Sequence, residues 1–194
     1  MTASRNFPLP LGTRPDLVDN HSVKATLEAI NQMQADGVIG AYAIGGAVGA
    51  TFYLEPAATV DLDLFITIPG ESSGLVSLSP IYEHLKARGG KVQDEYIVIG
   101  EWPVQFLLAA DGLELEAIAC AVETDVEDVP TRVISAEHLV AIALRVGRLK
   151  DHNRILQFLD QEGVDREKLQ KILERHGLTS KWQDFERRYL EGTR

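Results

Sequence analysis

The 194-residue sequence predicts an α+β fold: a mixed β-sheet of four or five strands with flanking helices, followed by a C-terminal helical segment. Three observations predict it. Short β-rich runs alternate with helical stretches between residues 41 and 134. From Ser135 to near Leu190 the apolar residues recur at helical spacing. A composition of 45% hydrophobic and 25% charged residues allows a packed core and excludes collagenous and disordered classes. The length suits one domain with a helical annex, read as an extended arm over 1–15, an α+β core over 16–134 and a helical segment over 135–194.

The elements follow in order. Pro8, Pro10 and Pro15 give the first residues no helical or strand period. Val23, Leu27, Ile30 and Met33 recur at three- and four-residue steps, with Asn20 or Ser22 as N-cap and Gly37 as stop, which predicts an amphipathic helix. Ala41-Tyr42-Ala43-Ile44 reads as a strand entering Gly45-Gly46, and Ala47 to Leu54 as the helix that follows, ended by Glu55-Pro56. Thr59 to Ile68 alternates as a strand, and a Ser/Gly loop runs from Pro69-Gly70 through Ser79. A helix over Ile81 to Arg88 precedes a hairpin of Glu95–Ile99 and Val104–Leu108. Leu113 to Val122 is expected to be helical, Thr131–Ile134 a strand, and Ser135 the cap of one long helix reaching about Leu159. Helix resumes from Asp165, interrupted at Gly177, with Trp182, Phe185 and Tyr189 as its core stripe.

Charge divides the chain. The net charge is −10, but residues 1–131 carry six basic against nineteen acidic residues, and residues 132–194 carry thirteen against ten. An acidic head suits metal cations, and a mildly basic tail suits a polyanion. The single Cys120 excludes an internal disulfide and is not expected to supply a cysteine-based zinc site; its apolar surroundings predict a buried small side chain. No apolar run is long enough to span a membrane and the opening residues are too polar for a signal peptide, so a cytoplasmic protein is expected.

The informative constellation is Tyr42-Ala43-Ile44-Gly45-Gly46, fourteen intervening residues, then Asp61-Leu62-Asp63-Leu64-Phe65. Asp61 and Asp63 alternate on one strand and project from the same face, while Leu62, Leu64 and Ile66 project from the other. Two adjacent carboxylates repel unless a hard divalent cation bridges them, and Mg2+ is the natural choice where phosphates complete its shell. Glycines between a strand and a helix allow close backbone approach to an anion.

These residues resemble the nucleotidyltransferase superfamily, the fold shared by DNA polymerase beta, CCA-adding enzymes and aminoglycoside nucleotidyltransferases. The resemblance runs through Ile44-Gly45-Gly46 and Thr59-Val60-Asp61-Leu62-Asp63-Leu64-Phe65, and looks closest to toxin-type members of the AbiEii kind, with Arg148-Leu149-Lys150-Asp151 in the place of their arginine-x-lysine-aspartate segment. It implies transfer of a nucleoside monophosphate from an NTP to a hydroxyl of an RNA, protein or small-molecule acceptor, and a possible antitoxin partner. By position, Asp61 and Asp63 would hold Mg2+, Gly45 and Gly46 would meet the β- and γ-phosphates, and Arg148 and Lys150 would neutralise phosphate or orient the acceptor. The sequence departs from the family pattern in three places. Gln105 stands on the strand that usually supplies a third carboxylate, with Glu114 and Glu116 as nearby substitutes that also read as exposed or capping acids of a helix. Ala57 replaces a basic residue, and the long helix has Ala143-Leu144 where a lysine is common and Asn153-Arg154 where a second acid is common.

On that helix, Leu139, Ile142, Val146, Leu149 and Leu156 form the apolar stripe, with Arg145, Arg148 and His152 along one margin. From Glu167 to Arg188 basic residues are interspersed with acidic ones, as on a salt-bridged solvent surface. Three functions are consistent with this pattern: an Mg2+-dependent nucleotidyltransferase, a reduced relative that binds nucleotide or a partner without turnover, and an interaction domain whose aspartates are surface charge.

Overall fold

A computed structural model describes residues 23–55, 61–70, 77–88, 91–93, 96–100 and 102–191. The 1–15 arm, the Asn20 and Ser22 caps, Ala57 and Thr59-Val60 lie outside the described residues. Seven strands, β1 (Tyr42–Ile44), β2 (Leu62–Ile66), β3 (Lys91–Gln93), β4 (Tyr96–Ile99), β5 (Trp102–Leu108), β6 (Val122–Val126) and β7 (Val129–Val133), form one mixed sheet in the order β3-β4-β5-β2-β1-β7-β6. β1 and β2 run antiparallel at its centre, flanked by the parallel pairs β2–β5 and β1–β7. The hairpin of β4 and β5 forms as expected. The other two antiparallel pairs, β3–β4 and β6–β7, supply the edge strands β3 and β6 that the pattern did not predict.

Alternation on the strands sorts the core into two layers. Leu62, Leu64 and Ile66 of β2 pack with Val104 and Phe106 of β5 beneath α1 (Lys24–Ala35) and α3 (Ser79–Ala87), whose Leu27, Ile30, Met33, Ile81 and Leu85 are buried there. Burying each such side chain is worth roughly 1.5–3 kcal/mol. Ala43 and Phe65 point to the opposite layer, which is helical: α4 (Gly112–Ala119), α5 (Ala136–Val146), α6 (Leu149–Asp160), α7 (Arg166–Arg175) and α8 (Thr179–Tyr189). Two polar links, one buried and one partly buried, tie α1 to the sheet. The Thr26 hydroxyl donates to the Ile99 carbonyl at 2.7 Å, and the Tyr42 hydroxyl lies 2.6 Å from Asn31 Oδ1. Gly37 follows α1 in the left-handed region, as its stop position requires.

Four local expectations change. The helix after Gly45-Gly46 is a single short element, α2 (Gly46–Ala50), with turns to Glu55 rather than helix to Leu54. The helix over 113–122 ends at Ala119, so that Val122 opens β6, an edge strand whose acids Glu123 and Asp125 leave no buried-face signature in the sequence. Cys120 is exposed, not buried, because it falls at the C-cap of α4, past the last turn that faces the core. The long helix from Ser135 is broken in two. Ser135 caps α5 as predicted, but Gly147 turns left-handed (φ +74°) and its N–H donates to the Ala143 carbonyl at 2.9 Å, so α5 stops and Arg148 becomes the N-cap of α6. The predicted apolar stripe therefore fails at the break, where Val146 is 46% and Leu149 71% exposed. Beyond it, Trp182 and Phe185 are buried and stacked at 5.5 Å, as the C-terminal pattern predicts, with Tyr189 partly buried against Phe185 at 5.0 Å.

Replacing Gly147 by Ala places a Cβ in the left-handed region and is expected to cost about 1 kcal/mol, since that conformation disfavours L side chains by roughly 1–2 kcal/mol. Urea denaturation would show a lower midpoint at unchanged slope; an unchanged midpoint would mean that α5 and α6 are one helix.

Candidate functional site

The centre of the sheet presents the two aspartates. Asp63 occupies the second position of β2 and Asp61 precedes the strand, and both are half-buried on the face shared with Phe65. β1 ends opposite them. Ile44 pairs with Leu64, and one step further the Gly45 N–H donates to the Asp63 carbonyl at 2.9 Å, so the glycine pair and the acid pair are held in register by the ladder itself. Gly46 then takes φ +58° to start α2, and a Cβ there would overlap the Asp63 carboxylate. Gly46 is thus required twice, for its left-handed backbone and for the room it leaves the acid.

Burial pushes the Asp63 carboxyl above its ordinary pKa and the like charge of Asp61 adds to the rise, while Arg154, Lys150 and Arg148 oppose it. Three cations from the first turns of α6 therefore lie within electrostatic reach of the acid. Arg148 is fixed there by Asp151, which is buried and accepts from the Arg148 backbone N–H at 3.1 Å and from Arg148 Nε at 2.8 Å. That pairing, and the neighbouring Asp63, hold the guanidinium even more firmly protonated than usual. Lys150 and Arg154 lie four residues apart on one face of α6.

The structure thus brings Asp61, Asp63, Gly45, Gly46, Arg148 and Lys150 into one neighbourhood and adds Arg154, which stands where the resemblance expects an acid. It separates the predicted cationic margin. Arg145 stays on α5 and pairs with Asp111 and Glu114 at the start of α4. His152 bonds the Tyr189 hydroxyl through Nδ1 at 3.0 Å and packs between the rings of Phe185 and Tyr189. Only Arg148 of those three faces the acids.

Gln105 is the in-register partner of Asp63 on the parallel strand β5, so an amide flanks the acid where the resemblance expects a carboxylate. The proposed substitutes are engaged elsewhere. Glu114 accepts from the Ala110 N–H at 2.9 Å and pairs with Arg145, as a capping acid does. Glu116 pairs with Arg175, His138 and His176. Two open surface clefts, of about 680 and 490 Å3, lie beside α1, and neither is lined by a member of the acid site.

The arrangement is bipolar, with two acids on the sheet and three cations on a helix start. An all-oxygen acid pair suits a hard divalent cation, and the cations opposite suit a polyphosphate. Among the described residues no helix is long and apolar enough to cross a membrane.

No protein-family model matches the chain, and no curated protein matches it. Among solved structures, it is similar to the solution structure of the antibiotic-resistance factor ANT(2'')-Ia, at 18% identity and a TM-score of 0.46, over 87% of this chain and 98% of that one. The crystal structure of ANT(2'')-Ia in complex with adenylyl-2''-tobramycin gives 21% identity and a TM-score of 0.48, over 83% and 99%. An antigenic nucleotidyltransferase-like protein from Paracoccidioides brasiliensis gives 15% and 0.48, over 84% and 92%. These likenesses are loose.

A carboxyl whose pKa is raised on folding costs nothing below the ordinary carboxylate range, and its cost is complete once the pH exceeds the raised value. Asp63→Asn removes that cost. Urea unfolding from pH 4 to pH 7 should show the variant gaining stability relative to the parent as pH rises through that window; a variant that loses ground at neutral pH would mean that the three cations, not burial and Asp61, dominate at Asp63.

Proposed function

We propose that this chain is an Mg2+-dependent nucleotidyltransferase, moving a nucleoside monophosphate from an NTP to a hydroxyl of an RNA, protein or small-molecule acceptor. The observation that carries this reading is the pairing of a half-buried acid pair with three cations at a helix start, across a glycine turn that makes room for the acid. Asp61 and Asp63 would hold the metal, and their donor set fits it: oxygen ligands only, on one strand face, with one carboxyl raised above its ordinary pKa partly by its neighbour's charge. Bound Mg2+ supplies charge neutralisation at the phosphates and at the departing pyrophosphate.

The remaining roles belong to the chain's own residues. Arg148, oriented by Asp151, presents a planar donor fork suited to phosphate oxygens. Lys150 and Arg154 add positive charge on the same side of Asp63. The backbone at Gly45 and Gly46 would line the turn against which the phosphates rest. In the transfer, the acceptor oxygen bonds to the α-phosphorus, the bond to the β-phosphate oxygen breaks, pyrophosphate leaves with that oxygen, and the hydroxyl proton passes to a base. Such a transition state asks for positioning and charge neutralisation rather than covalent help from the protein. An antitoxin as protein partner follows from the AbiEii resemblance alone.

A second reading is favoured by one observation, the amide of Gln105 in register with Asp63. An amide cannot accept the hydroxyl proton, so the same site could bind Mg·NTP and present it without turnover.

A thermal-shift titration with each of four NTPs, with and without Mg2+, tests the site common to both readings. A ligand at 100 times its dissociation constant should add about 2.7 kcal/mol of stability. Stabilisation is expected to require Mg2+, to vanish in Asp61→Asn and Asp63→Asn, and to weaken about tenfold in affinity in Arg148→Ala, the loss of roughly one charged hydrogen bond. No stabilisation by any NTP would overturn the assignment. Release of pyrophosphate with transfer of label to an acceptor separates enzyme from binder.

A further inference from the structure

A second cluster of ligating side chains lies outside the acid site. Glu116 and Cys120 are four residues apart on α4 and at its C-cap, and therefore share one helical edge. His138, on the first turn of α5, faces that edge, and one ligand atom from each of the three lies within 4.8 Å of the other two. His138 is 4% exposed and its two ring nitrogens are already directed: Nδ1 lies 2.9 Å from the Ser135 hydroxyl, and Nε2 lies 3.3 Å from Glu116 Oε1. His176, which follows α7, brings its Nε2 to 2.8 Å from the other Glu116 oxygen. Arg175 also reaches Glu116, from a side chain that is half-exposed and free to turn to water.

We propose that Glu116, Cys120 and His138 form a binding site for a borderline-soft transition metal of the Zn2+ class, joining α4 to α5; one cysteine by itself is not expected from the sequence to supply such a site, but the fold sets a histidine and a carboxylate beside it. A thiolate, an imidazole and a carboxylate select Zn2+, or Co2+ as its spectroscopic stand-in, over Mg2+, which prefers oxygen ligands and keeps its waters. The outer shell is in place. Ser135 orients His138 by its Nδ1 side and leaves Nε2 toward the metal, and His176 holds the Glu116 oxygen not used in ligation. Donors about 2.0–2.3 Å from a tetrahedral ion stand roughly 3.3–3.8 Å apart; His138 Nε2 and Glu116 Oε1 already meet that spacing, and the sulfur needs to close by at most about 1 Å, which rotation of the exposed Cys120 side chain can supply. On binding, the Cys120 thiol gives up its proton to solvent, its sulfur joins the metal, Arg175 leaves Glu116 Oε1, and a water completes the fourth position. The site uses no residue of the Asp61–Asp63 pair and stands whether or not that pair binds nucleotide.

The test uses the full chain stripped of metal with a chelator and titrated with Co2+. The expected result is a thiolate-to-cobalt charge-transfer band that saturates at one equivalent, bleaches on addition of Zn2+, is lost in Cys120→Ser and persists in Asp63→Asn. Because Cys120 is exposed, Cys120→Ser is expected to fold normally, which circular dichroism checks. As an independent readout, Zn2+ at about ten times its dissociation constant should slow alkylation of Cys120 by iodoacetamide about tenfold, since only the unliganded thiolate reacts. Absence of a stoichiometric band, a band that survives Cys120→Ser, or alkylation unaffected by Zn2+ would overturn the proposal.

Discussion

The carboxylate of Asp63 sits where the main constraints of this structure meet. The ladder between β1 and β2 sets it opposite the glycine pair, and alternation on β2 turns it toward the helical layer while Leu62 and Leu64 fill the core on the other side. Gly46 gives way to it, since any side chain at that position would occupy its place. Asp61 shares its face, and Arg148, Lys150 and Arg154 of α6 lie within electrostatic reach of it. Each neighbour is explained by an acid that must remain half-buried: backbone that accommodates it, cations that lower its cost, and a like charge that a proton or a further cation relieves.

The break between α5 and α6 is what makes the cationic side possible. Had the helix continued through residue 147, Arg148 and Lys150 would be mid-helix side chains splayed by about 200° of rotation. The left-handed Gly147 instead ends α5 and makes Arg148 a helix start, with its backbone N–H and its guanidinium gathered by the same Asp151 carboxylate. Asp151 is buried because it serves both. The two helices divide the basic residues between them: Arg145 steadies α4 through Asp111 and Glu114, and the α6 residues face the acids.

The parts legible in the sequence are those governed by short-range period. Asp-x-Asp within an apolar alternating run set both the strand and the shared face, and Gly45-Gly46 after Tyr42-Ala43-Ile44 marked the strand-to-helix turn. Hidden features depended on partners distant in sequence. Val146 and Leu149 continue the apolar period across Gly147, so periodicity hides the break, and only the glycine itself, followed four residues on by an acid at a capping position, signals it. The edge strand β6 carries Glu123 and Asp125 where a buried face would be apolar. Cys120 lies in an apolar run but beyond the last core-facing turn of α4. Arg154 was hidden for another reason: the resemblance expects an acid there, and only the fold shows that its charge reaches Asp63.

The proposed function requires Asp63 to be an acid strained by burial and by its neighbour and relieved by a hard cation, and the most direct measurement is its own titration. Carbon-13 NMR of the aspartate side-chain carboxyls, assigned by comparison with Asp63→Asn, follows it with and without Mg2+. The expected midpoint lies above the ordinary aspartate range in the free protein and is displaced to lower pH by Mg2+ as the metal competes with the proton. An ordinary midpoint that Mg2+ leaves unmoved would contradict it and reduce the two aspartates to surface charge.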